Sequence, residues 1–211
     1  MNRASSFSGF GALCAVGAGL IGLGYSISFS LYLHSPSRGT AYADALLLLV
    51  GGLVSTAAFT AVYERLRATD PALALWGYVL ALVGAFGAAM HGGYDLANLA
   101  NPPASVATDL PNSVDPRGLG TFALTGLALA VTGVLILRGA PLPRGLAYLG
   151  FLSAALLVFV YIGRLVILNP KNPALLTCAV VDGYVVNPIW FVWLGLLLRQ
   201  SPRVQAEPAT V

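Results

Sequence analysis

The residues able to do chemistry in this chain are few, and they gather at a small number of places. His91, Asp95 and Asn98 stand at i, i+4 and i+7, one face of a helix provided the helix runs on through Gly92 and Gly93. Tyr161 and Arg164 share a second face by the same spacing. Asp182 is followed five residues later by Asn187 and then Pro188, and an interior proline removes one helical hydrogen bond and displaces the carbonyl four residues earlier, here that of Tyr184. A carboxylate, an amide and a displaced carbonyl in that arrangement suit coordination of a cation or a hydrogen-bond donor. A histidine beside a carboxylate suits general-base work, with Ser26 or a water as the nucleophile. The candidate ligand-binding set is therefore His91, Asp95, Asn98, Tyr161, Arg164, Asp182 and Asn187.

The elements that must position these groups follow from composition. Of 211 residues, 57% are hydrophobic and 9% are charged, against about 25% charged in soluble domains. Six apolar stretches run from Gly9 to Leu33, Ala43 to Tyr63, Ala72 to His91, Leu119 to Leu137, Leu146 to Leu168 and Ala174 to Leu198. Each approaches the roughly 20 residues that cross a bilayer core. The fold class predicted is an all-α bundle of six transmembrane helices in one domain. A Pro-rich connection spans 98–118, and a tail follows from 199 to 211. Asp70-Pro71 and Asn172-Pro173 read as N-caps with proline at the first helical position. Their shared Asp/Asn-Pro-Ala-Leu pattern is too short to establish an inverted repeat and reads as common helix-start chemistry.

A signal peptide competes for the N-terminus, with Arg3 before an apolar run and Ala41-Tyr42-Ala43 as the cleavage-like site. The run is far longer than the 7 to 15 residues of an h-region, so it reads as the first membrane helix. Counting Lys and Arg by side places Arg3, Arg65, Arg67, Arg138, Arg144, Arg199 and Arg203 on one side against Arg38, Arg117, Arg164 and Lys171 on the other. The positive-inside rule then puts both termini in the cytoplasm and the 98–118 connection outside.

At 1.5 Å per residue, His91, Arg164 and Asp182 each lie about 26 to 28 Å above the terminal end of their helices, and Asp44 enters near the outer start of the second. Four helices thus deliver ionisable groups to one layer, which suggests an outward-facing polar pocket. Asp182 is short and cannot snorkel, so a partner is expected, Arg164 first and His91 second. Such an ion pair has a purely structural reading, tying two helices together, beside the functional one.

Other classes are excluded or weak. A net charge of +3 offers no basic stripe for nucleic acid. Gly17, Gly19 and Gly22 match a dinucleotide fingerprint literally, but inside a membrane helix and with no preceding strand. Together with Gly11, Ala15, Ser26 and Ser30 they form a small-residue seam suited to close helix contact, and such seams are the expected means of any homo- or hetero-oligomer. Two histidines cannot make a three-histidine zinc site, haem held by His34 and His91 is disfavoured by His34 standing at a helix end, and no cofactor or metal is expected. Cys14 and Cys178 fall near opposite faces and should be unpaired. Membrane lipids are the sure partners, and a small solute, an ion or a lipid headgroup is the expected ligand.

The run GRLVILNPKNP from Gly163 to Pro173, followed by DGYVVNPIW from Asp182 to Trp190 and by Trp193-Leu194-Gly195, resembles the end of uncharacterised bacterial six-span integral membrane proteins. The resemblance covers about 40 residues. It implies an all-helical six-span fold in a bacterial inner membrane and carries no activity with it. From the residues, binding or passage of a small ligand leads, ahead of an intramembrane hydrolase or transferase using His91 with Asp95 or Asp182, and of an accessory subunit of a larger membrane complex.

Overall fold

A computed structural model describes residues 6–102, 118–167 and 172–200. The described residues are helical and contain no strand. In chain order they form α1 (Ser6–His34), α2 (Arg38–Leu66), α3 (Pro71–Ala100), a π-helical turn (Leu119–Leu124) leading into α4 (Thr125–Leu137), α5 (Arg144–Ile167), α6 (Pro173–Val181), a second π-helical segment (Asp182–Val186) and α7 (Asn187–Arg199). Six spans are long and apolar enough to cross a membrane, the sixth running from Pro173 to Arg199 through the π segment. The chain is a multi-pass membrane protein by this measure. The six predicted spans are all present, although most end beyond the apolar stretch.

The helix starts follow the capping chemistry. Asp70 accepts from the Leu73 amide at 3.0 Å with Pro71 at the first position, and Asn172 accepts from the Ala174 amide at 3.0 Å with Pro173 behind it. Ser37 and Thr40 form a reciprocal capping box that starts α2 five residues before the predicted Ala43. The largest correction is α3, which was expected to end at His91 and continues to Ala100. Gly92 and Gly93 do not break it because they sit against α2, where their missing side chains are an advantage. The predicted 98–118 connection therefore begins only after Ala100, and most of it lies outside the described residues, as do nearly all of the 199–211 tail and the Leu168 end of the fifth stretch.

The helices are arranged in a ring. Each packs on its neighbour in sequence, and α1 completes the circle against α7. Glycines set the closest approaches. A Cβ built on Gly52 would stand 2.5 Å from the Ala85 carbonyl and 2.6 Å from the Ala89 amide, and one on Gly92 would stand 2.5 Å from the Ala45 carbonyl. The α1–α7 seam works likewise: a Cβ on Gly19 would meet the Pro188 carbonyl at 2.9 Å, and one on Gly195 the Ala12 carbonyl at 2.7 Å. The small-residue face of α1, expected to allow close helix contact, makes such contacts within this chain at Gly11 against Ala61 and at Gly19 against Pro188.

Packing is uneven along the bundle axis. The half near the termini is filled by Trp190, Leu194, Leu198, Leu129, Leu135 and Leu146, all at most 2% exposed. Trp190 donates from Nε1 to the Leu146 carbonyl at 3.1 Å, and its ring packs on Phe191 and Phe59 at centroid distances of 5.0 and 6.4 Å. An Asp70–Arg138 ion pair at 3.1 Å and Arg65 bonded to the Leu198 and Gln200 carbonyls tie the connections at that end. Toward the other, distal end the packing loosens. No residue of α1 beyond Gly19 is buried, and in α6 only Leu175 is.

Candidate functional site

The loosened distal half holds a partly open cavity of about 590 Å³, within the range of small-molecule sites. Each wall is a helical stripe. From α2 it takes Asp44, Leu48, Gly51, Ser55 and Phe59, at successive three- or four-residue steps. Asp44 to Phe59 is 15 residues, a depth of about 22 Å. From α1 come Gly22, Tyr25, Phe29 and Leu33, and from α3 Ala88, His91 and Asp95. Leu157, Val160 and Arg164 line it from α5, and Ala179, Asp182, Gly183 and Asn187 from α6 and the segment that follows. The floor is apolar, made by Phe59, Phe191 and Leu157, so the cavity closes against the packed terminal half.

Of the predicted site residues, the structure brings His91, Asp95, Arg164, Asp182 and Asn187 to this one cavity and leaves Asn98 and Tyr161 off its wall. Asn98 lies on the stripe of His91 and Asp95, but one turn higher, above the rim. Tyr161 is displaced because Val160 takes the inward position of that turn, and Tyr161 points about 100° away. Sequence reasoning left out Tyr25 and Tyr184 and gave Asp44 only a height. Tyr25 stands within electrostatic reach of Asp44, Asp95 and Arg164, and an aromatic on a small-residue stripe was the only signal for it.

The polar groups divide into engaged and unengaged. His91 Nε2 meets Asp95 Oδ2 at 3.3 Å, the i, i+4 pair that the spacing predicts. The Tyr184 hydroxyl donates to the Ser26 carbonyl at 3.1 Å, while the Ser26 hydroxyl donates to Gly22 of its own helix at 3.0 Å. Ser26 is therefore bonded to its own backbone and not to His91, which weakens the nucleophile reading. Asp182 is 4% exposed and lines the cavity, yet its Oδ1 has no hydrogen-bond partner, and Asp44 Oδ1 is buried in the same condition. The Ser153 hydroxyl lies close to Asp182 but also makes no hydrogen bond.

The expected Arg164–Asp182 ion pair is absent. Among the described residues the ion pairs are Glu64–Arg67, His91–Asp95 and Asp70–Arg138, and neither Arg164 nor Asp182 joins one. Helical spacing fixed their heights, which agree, but not their azimuths. The second π segment has the cause that the sequence supplies: Pro188 has no amide hydrogen, and the Asn187 amide bonds five residues back to Asp182. That widened turn carries Asp182 and Asn187 onto the cavity wall. Cys14 and Cys178 are both free, as their separation requires.

These features define a six-span helical membrane protein with a cavity in the distal half and a sealed terminal half. Compared with known proteins, the chain matches no family model, no curated protein and no solved structure. Its function is therefore argued from this geometry.

Proposed function

We propose that the protein binds a small ligand in the distal half of the membrane, and that the distal side is extracytoplasmic in a bacterial inner membrane. The observation that carries this is the cavity itself, a partly open space of about 590 Å³ on which Asp44, His91, Arg164, Asp182 and Asn187 converge from four of the six spans. Binding is favoured over passage because Trp190, Phe59 and Phe191 block the continuation toward the terminal face. The orientation rests on Arg65, Arg67, Arg138, Arg144 and Arg199 standing at helix ends on the terminal face, against Arg38 and Arg164 toward the distal one, in the sense of the positive-inside rule.

Ala88 lines the cavity without being buried, so Ala88→Phe should fill the space rather than disturb a packed contact. Native mass spectrometry of protein released from lipid nanodiscs is expected to show a bound species on the wild type, and to show it lost or at least tenfold depleted on Ala88→Phe. Equal occupancy in both proteins, or none on the wild type, would overturn the reading.

A further inference from the structure

The ring of helices is incomplete at one place. On this side of the ring α6 packs on α5, whereas the main contacts of α1 are with the π segment and α7 below α6. Contact between the two sides begins at Ser26, whose side chain a Cβ on Gly183 would strike, and at the Tyr184–Ser26 hydrogen bond. Above that point the cavity lining is Phe29, Ser30 and Leu33 on α1 and Leu176, Ala179 and Val180 on α6. Val180 lines the cavity and is 46% exposed. It is seven residues below Pro173, about 10 Å down the helix. The gap therefore opens at membrane depth, toward lipid chains.

Two buried carboxylate oxygens on that cavity lack a hydrogen-bond partner. They are the Oδ1 atoms of Asp44 and Asp182, and among the described residues the lining guanidinium, that of Arg164, forms an ion pair with neither. Asp182 is more than nine-tenths buried and lines the cavity, and its Oδ1 accepts no hydrogen bond. A buried carboxylate oxygen without a donor is costly, and a ligand bearing a positive, donor-rich or polarised head would relieve that cost. Tyr25, Phe29, Phe59, Tyr184 and Phe191 add aromatic faces to the wall, which attract organic cations. We infer that the cavity takes a lipophilic organic cation, an ammonium head on an apolar tail, admitted from the distal leaflet through the gap between α1 and α6. This rests on the ligand-binding reading above and names the class of ligand for the same site.

The test uses Trp190, which lies beneath the floor aromatics and is fully buried. In full-length protein carrying Trp76→Phe and Trp193→Phe, held in lipid nanodiscs, Trp190 fluorescence is titrated with three amphiphiles sharing one bromodecyl tail and carrying a trimethylammonium, a sulfate or a glucoside head. The ammonium probe should quench saturably and bind at least tenfold more tightly than the other two. Asp182→Asn should weaken it about tenfold, and Ala179→Trp, which blocks the gap, should abolish saturable quenching. Should Ala179→Trp fail to fold, Ser30→Trp blocks the gap from the α1 side. A sulfate or glucoside probe that binds as tightly as the ammonium would overturn the cation assignment, and quenching unchanged by the blocking tryptophan would overturn the route. If no probe quenches saturably while the mass measurement still finds a species that Ala88→Phe loses, the ligand class is wrong and the binding reading stands.

Discussion

Gly52→Leu should unfold the bundle or cost about 3 kcal/mol or more, the upper range for overpacking, and Gly92→Leu should do the same. At both sites the obstruction is backbone: a Cβ on Gly52 would enter within 2.6 Å of the Ala85 carbonyl and the Ala89 amide, and one on Gly92 within 2.5 Å of the Ala45 carbonyl. A flexible side chain can rotate away, but here α2 and α3 must separate. That separation would also widen the cavity, which α2 and α3 line with Asp44, Ser55, Ala88 and His91. Gly9 is the control, with nothing within 4 Å of its built Cβ. Gly9→Ala should be neutral or gain up to about 1 kcal/mol from helix propensity. Unfolding midpoints in nanodiscs compare the three, and a Gly52→Leu protein as stable as the wild type would refute the close α2–α3 approach.

Asp182→Leu should move stability the opposite way. A buried carboxylate oxygen without a hydrogen-bond partner, such as Asp182 Oδ1, is a standing cost, and replacing buried charges with well-packed apolar residues commonly stabilises by about 1 to 4 kcal/mol. The variant should melt higher and bind nothing, because the same oxygen that destabilises the empty protein faces the ligand space. Arg164→Ala should leave the midpoint nearly unchanged, since Arg164 makes no ion pair with Asp182. The double variant should then equal the sum of the single ones within about 0.5 kcal/mol. Destabilisation by Asp182→Leu together with strong coupling to Arg164 would restore the ion pair that the structure lacks.

Much of the fold was legible because its signals are local. Bilayer thickness sets the length of each apolar stretch, and Asp70-Pro71 and Asn172-Pro173 announce helix starts through their own hydrogen bonds. Pro188 announces a break in the sixth span, expressed as the π segment from Asp182 to Val186. The end of α3 was misread because Gly92-Gly93 followed by Asp95 resembles an exit from the membrane, whereas those glycines answer to the α2 backbone beside them. The site was legible in height and not in direction. His91 and Asp95 lie on one helix, so spacing alone pairs them, while Arg164 and Asp182 lie on different helices whose relative rotation no pattern records. The cavity itself arises from helices that pack tightly at Trp190 and splay beyond Gly19, a property of the assembled ring.

Cysteine accessibility at Ala88 addresses the central claim most directly. In a Cys14→Ala/Cys178→Ala background, Ala88→Cys places a single thiol inside the cavity, above the Phe59 and Phe191 floor. A small, positively charged, membrane-impermeant methanethiosulfonate reagent should modify it when applied from the distal face and leave it unmodified from the terminal face. A thiol that reacts equally from both faces, or from the terminal face alone, would contradict a distal cavity sealed at its inner end.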